Sequence, residues 1–323
     1  MSSPGSTADS VASGSASPPL KKSGHSRLAA ADRRFGAILA IPATIIVLAL
    51  VALPSLQTLL YSFEKVSFNG LSDFVGLDNY TRVIASDEFQ QSLRITTIYA
   101  LGFVIISTGL GLGFAVLLNQ RFRGRGLART LLIIPWAAPW LVVGIMWKWF
   151  IDADVGMLNG LLYQFGLIND YIPFLANPNW ALFFTILAAA WRQASLSGLL
   201  FLAALQTIPP DLPEAALVDG ANVWQRFRFI TLPWMRPVLM VVLVTNVIFG
   251  FLQFDVIYAI TQGGPGDSTN LLSMLLYKEI FQFSNVGVGS AVAVILGLVA
   301  FGVGLIFVKF LYRQESIYGR STT

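Results

Sequence analysis

Charged side chains cluster along this chain, and between the clusters lie six long apolar stretches. The first runs from Phe35 to Phe63, 29 residues without a charge, more than the roughly 20 that cross a bilayer as a helix. Comparable stretches follow at about 93–119, 129–150, 180–204, 237–260 and 287–311. A helix satisfies its own backbone hydrogen bonds, which a segment in lipid requires. The pattern predicts an all-α integral membrane protein with six transmembrane helices. Pro42, Pro54, Pro135 and Pro139 fall inside the spans, where neighbouring helices can take up the freed carbonyls. Gly109 and Gly113 form a GxxxG spacing in the second span, which predicts close helix packing on that face.

Residues 1–34 differ in kind. Ser, Gly, Pro and Ala fill 15 of the first 20 positions, and Lys21, Lys22, Arg27, Arg33 and Arg34 follow. So little apolar surface cannot offset the entropy of ordering, and the segment reads as a disordered basic tail ahead of a membrane domain over 35–315. The tail is too long and polar for a signal-peptide n-region, and the run behind it is too long for an h-region. The first span is therefore expected to be retained.

Composition removes several function classes. Apolar residues make up 55% of the 323 and charged residues 12%, about half the charged share of a soluble domain. Cysteine is absent and the one histidine, His25, sits in the tail. That leaves no thiolate site, His-based triad or His/Cys zinc site in the body. No Lys follows a Gly, so the phosphate-binding P-loop is missing too.

The charges also orient the spans. With six crossings both termini share a side, and the tail, the 119–129 loop, the 205–236 segment and the C-terminal end hold 15 of 21 basic residues. The alternate loops hold only Lys65, Arg82, Arg94 and Lys278. The positive-inside rule then places both termini in the cytoplasm. The basic balance needs no nucleic-acid partner to explain it. Trp147 and Trp149 flank Lys148 at the outer end of the third span, an aromatic belt with a snorkelling lysine.

Residues 205–236 form the longest inner segment. Ile208-Pro209-Pro210-Asp211-Leu212-Pro213 breaks the fourth helix. Glu214-Ala215-Ala216-Leu217-Val218-Asp219 then reads as a short helix with Asp211 as its N-cap, and Gly220 supplies the left-handed turn that ends it. A second helical piece is predicted from Ala221 to about Phe229. The pattern equally describes an amphipathic surface loop anchored by Trp224, Phe227 and Phe229.

Here the sequence resembles a known family. Glu214-Ala215-Ala216, three residues, Gly220, nine residues, Ile230, one residue, Leu232-Pro233 matches the EAA loop of ABC importer permeases. Phe74-Val75-Gly76-Leu77-Asp78-Asn79-Tyr80 resembles the FVGLxNY signature of the carbohydrate-uptake members, of maltose and glycerol-3-phosphate type. Phe254-Asp255-Val256-Ile257-Tyr258 and Thr261-Gln262-Gly263-Gly264-Pro265 resemble the same group. The similarity extends over nearly all of residues 36–312. Ser92-Leu93-Arg94-Ile95-Thr96 departs from it, since the family often has Asn before Thr.

The resemblance implies a type I ABC importer permease fold with its core at about 92–312, and a coupling helix in 205–236. Glu214, Ala215, Ala216, Asp219 and Gly220 would meet the ATP-hydrolysing subunit. It further implies a second homologous permease, two ATP-binding subunits that carry ATP and Mg, and an extracytoplasmic binding protein that delivers sugar. This chain would then be no enzyme and would bind no cofactor or metal itself.

Polar side chains at membrane depth are costly and often line a path. Arg192 and Gln193 fall in the fourth span, and Asn246, Gln253 and Asp255 in the fifth. Asn246 and Gln253, seven apart, are predicted to share a helix face. Sugars take amide partners and aromatic platforms, of the kind Trp191, Phe249 and Tyr258 offer. The other reading of the polar residues is helix–helix hydrogen bonding, with Arg192 on a backbone carbonyl. Asp255, near the outer end, fits a cap or gate contact better than a ligand. Import of glycerol-3-phosphate or a glycerophosphodiester stays open beside sugar, because Arg192 is the only basic residue near mid-membrane. An ion-coupled secondary transporter would show intramembrane carboxylates and inverted repeats. This sequence has one marginal carboxylate and no clear repeat.

Overall fold

A computed structural model describes residues 40–42, 44–66 and 72–318, so the predicted tail lies outside the described residues. The chain divides into Met1–Leu56 and Gln57–Thr323. The described part of the first unit lies in α1, the apolar helix Ala40–Tyr61, whose most apolar stretch buries no side chain.

The second unit takes in the end of α1 and then an antiparallel hairpin, β1 (Glu64–Val66) and β2 (Ser72–Phe74), in which Lys65 faces Asp73. Then come α2 (Asp78–Ala85) and α3 (Asp87–Asn119), with the Ser86 side chain accepting the Phe89 N–H to cap α3. Helices α4 (Arg125–Ala137) and α5 (Trp140–Phe150) follow, then the short α6 (Met157–Gln164). The long α7 (Pro178–Leu205) starts from Asn177, whose side chain accepts two N–H groups, with Pro178 at the first position. After α8 (Asp211–Val218), α9 runs 29 residues, Val223–Phe251, through a π turn at Phe227–Thr231. The remaining helices are α10 (Asp255–Ile260), α11 (Leu272–Tyr277, continued by a π turn to Gln282) and α12 (Val286–Tyr318).

Among the described residues five helices are long and apolar enough to span a membrane, and the bent pair α4 and α5 brings the number to six when it is counted as one span. That pair stands where the sequence predicts one continuous helix at 129–150, and its two halves meet at 101°. Pro139 has no N–H to continue α4, and Ala138 before it is extended, with ψ of 136°. The fifth span is corrected at both ends. It begins at Val223, ahead of the predicted 237, and stops at Phe251. Residues 255–260 form the separate α10, packed along α5.

Helix α7 is the hub, and α3 runs along it. Ala188, Ala189, Ala190 and Ala194 are fully buried, so neighbouring backbones come close. At Gly111 an added Cβ would lie 2.6 Å from the Ser197 Cβ and 3.0 Å from the Gly198 nitrogen. Gly109 and Gly113 have nothing within 4 Å of that position. The packed glycine face of α3 is therefore that of Gly111, and the predicted GxxxG face points away from every described neighbour.

Candidate functional site

The first functional element is the turn after α8. Pro210 occupies its N-cap position, which places Asp211 in the first turn with Glu214 and corrects the predicted cap. Gly220 adopts a φ of +79°. Its N–H donates to the Leu217 carbonyl at 3.1 Å, and that of Ala221 to the Ala216 carbonyl at 2.9 Å. This pair of bonds closes a helix end around a left-handed residue. Asn222 and Gln225 then cap each other reciprocally, at 2.8 and 2.9 Å, and start α9. The predicted second piece is thus the first turns of the fifth span, with the Trp224 and Phe227 rings 5.8 Å apart. Leu217, Val218, Val223, Trp224 and Phe229 are exposed beside exposed Glu214, Ala215, Asp219 and Gly220, with Ala216 half-buried. The turn offers a partner negative charge and apolar side chains on a rigid mount.

The second element lies at the depth of the spans. Gln193 Nε2 donates to Asn246 Oδ1 at 2.9 Å, and Asn246 Nδ2 donates to Thr108 Oγ1 at 3.1 Å and Ser197 Oγ at 3.2 Å. Both amides are buried. The network ties α3, α7 and α9 together. Arg192, one residue away, points elsewhere: its Nε donates to the Ala138 carbonyl at 2.8 Å, and its guanidinium lies 3.9 Å from the Trp140 ring centre. Trp140 meets Phe249 at 6.1 Å, and Trp191 meets Trp147 edge-on at 6.1 Å. Tyr258 belongs to another aromatic group, with Phe254 at 5.4 Å and Tyr277 at 5.2 Å.

Gln253 is buried beyond the end of α9, so it does not share a helix face with Asn246 as predicted. Its carbonyl accepts from Ser273 Oγ, while its side-chain nitrogen has no partner among the described residues. Asp255 is the exposed first residue of α10, and no side-chain cap starts that helix.

Two further asparagines hold loops in place. Asn79, in the segment resembling FVGLxNY, donates to the Ser62 and Glu64 carbonyls, each at 3.0 Å, and Tyr80 Oη lies 2.6 Å from Ser62 Oγ. A cavity of about 330 Å³ beside it is lined by Lys65, Asp78, Arg82 and Asn285, among others. Asn159 is fully buried. It donates to the Asp152 and Ile172 carbonyls at 3.1 and 3.0 Å and accepts the Ile172 N–H at 3.0 Å. Sequence reasoning missed Asn159, Thr108, Ser197 and Trp140, for no motif marks them. Nearby, the Asp154 and Val155 amides, with Lys148 adding to them, hold the Asp152 carboxyl below the usual carboxylate range.

The chain belongs to the family of binding-protein-dependent transport system inner membrane components, whose model matches residues 105–314. It is 35% identical over 285 residues to the trehalose/maltose transport system permease protein of Thermococcus litoralis, covering 88% of this chain and 96% of that one. It is 34% identical over 286 residues to the sulfoquinovosyl glycerol transport system permease protein of Agrobacterium fabrum, covering 88% and 92%. In structure it is similar to a chain of a bacterial ABC transporter involved in import of the acidic polysaccharide alginate. That match has a TM-score of 0.77 at 23% identity, over 89% of this chain and 99% of that one. The chain is an ABC importer permease with the type I permease fold.

Proposed function

We propose that this permease forms half of the membrane channel of an ATP-driven importer, which takes a mono- or oligosaccharide from an extracytoplasmic binding protein into the cytoplasm. Two relatives of closely matching length carry names of carbohydrate or sugar-glycerol transport, which favours a sugar over other solutes. The observation that carries the mechanism is the turn at Gly220, which mounts Glu214, Ala215, Ala216 and Asp219 on a rigid projection joined directly to the fifth span. Those residues dock on one of two ATP-binding subunits, where ATP and Mg reside, and a homologous permease completes the pore. Closure of the two ATPases pushes the turn and tilts α9 as a rigid body.

The proposed pathway runs past the aromatic side chains Trp191, Phe249 and Tyr258, with Arg192, Gln193, Asn246 and Gln253 as the polar groups beside it. Docking on the ATPases requires the turn, and with it the arginine-rich loops and both termini, to lie on the cytoplasmic side. The test is ATP-driven uptake in proteoliposomes holding this chain, its companion subunits and its binding protein. Maltose, trehalose and glycerol-3-phosphate are offered in turn. Saturable sugar uptake that stops when the binding protein is omitted is the expected result. Transport of glycerol-3-phosphate alone would replace the sugar assignment.

A further inference from the structure

Arg192 stands at the break between α4 and α5. The Ala138 carbonyl lies in the 101° break between α4 and α5, and no backbone N–H among the described residues donates to it. A carbonyl without a partner at membrane depth is costly. Arg192 Nε fills that need at 2.8 Å, and the same guanidinium stacks at 3.9 Å on Trp140, the first residue beyond the break. Asp255, where the chain resumes after α9 ends, lies within electrostatic reach of Arg192, on the helix α10 that packs along α5. The next residue of α7, Gln193, is anchored by Asn246, so the Arg192 backbone is held on a fixed support.

We propose that Arg192 is a positioning residue for transport: by donating to the Ala138 carbonyl and stacking on Trp140, it sets the angle between α4 and α5. The angle in turn places Trp140 against Phe249 and Trp147 against Trp191, two aromatic side chains of the pathway. The functional part of this inference rests on the pathway reading above; the geometric part does not. Both contacts come from one planar group. A lysine at this site donates one bond as a point charge but offers no plane to stack. A glutamine donates without charge. A methionine does neither.

The test uses the full-length chain, co-purified with its partner subunits in lipid nanodiscs. Spin labels sit at the exposed positions Leu131 on α4 and Met146 on α5. The parent is expected to give one narrow label-to-label distance. Arg192→Met is expected to broaden or split it and to cut the maximal maltose uptake rate at least tenfold. Half-saturation by the maltose-loaded binding protein should stay within twofold. Arg192→Gln and Arg192→Lys are expected to fall between, each keeping one contact. Should Arg192→Met fail to assemble, Arg192→Lys decides the matter: a broadened distance with a several-fold lower maximal uptake rate supports the inference, and an unchanged distance overturns it.

An unchanged distance distribution overturns the inference, whatever happens to uptake. A shifted half-saturation with an unchanged distance overturns it in favour of direct sugar contact. If the parent transports no maltose, the sugar assignment fails, and the distance measurement still decides the role of Arg192.

Discussion

Gly220 allows a test in which conformation and contact separate cleanly. Its φ of +79° belongs to the left-handed region, and an added Cβ there has nothing within 4 Å. Substitution therefore strains the backbone without causing a clash. An ordinary L-residue pays about 1–2 kcal/mol to sit in that region, a β-branched one more, and asparagine least. Against the two hydrogen bonds that close the turn, that cost shifts the ratio of closed to opened turn by roughly 5–30-fold. The series Gly220→Asn, Gly220→Ala and Gly220→Val should therefore lower coupled uptake in that order. Insertion of the spans should be unchanged, because Gly220 lies outside every candidate span. The assay pairs the amount of ATPase that co-purifies with the rate of ATP-driven uptake per assembled complex. If asparagine does as much damage as valine, the glycine matters as a contact surface and the strain argument is wrong.

Three other perturbations have defined outcomes. Glu214→Lys reverses an exposed charge in the first turn of α8 and should weaken ATPase co-purification and uptake while the chain still inserts; undiminished docking removes the electrostatic contact. Gly111→Ala forces a Cβ to within 2.6 Å of Ser197 and should cost about 1–3 kcal/mol by overpacking, seen as a lower melting temperature in detergent, whereas Gly109→Ala should be neutral or slightly stabilising. Asn246→Leu strands the Gln193 amide and should cost about 1–3 kcal/mol, measured in the same way; a melting temperature within error of the parent would dissolve the network's structural role.

The six apolar runs and the loop around Glu214 and Gly220 are readable in the sequence because hydrophobic length and turn chemistry are local. What escapes is orientation. The spacing of Gly109 and Gly113 says that small residues recur on one face, but which face meets α7 depends on the partner, and that face carries Gly111. Pro139 is visible, yet its effect depends on the extended Ala138 before it and on Arg192, 54 positions beyond Ala138. At the end of α9, Gly250 is packed inside the helix against Ala100 and no proline or glycine follows Phe251 before Gly263, so the seven-residue spacing of Asn246 and Gln253 describes a shared face that the helix never completes. Asn159 gives no local signal either, since its partners at 152 and 172 come together only when the loop folds.

Because α9 is unbroken from Val223 to Phe251, it behaves as a crankshaft about 44 Å long at 1.5 Å per residue. Its loop end is locked by the Asn222–Gln225 pair, and Asn246 meshes with two neighbouring helices near the other. The π turn at Phe227–Thr231 holds one residue more than an α-helical turn would. A residue inserted further along the helix, with no such turn to absorb it, would leave both ends intact and rotate one against the other by about 100°. The timing between the turn and the pore would then be lost with every contact at either end still formed, as in an engine assembled with its shaft one tooth out.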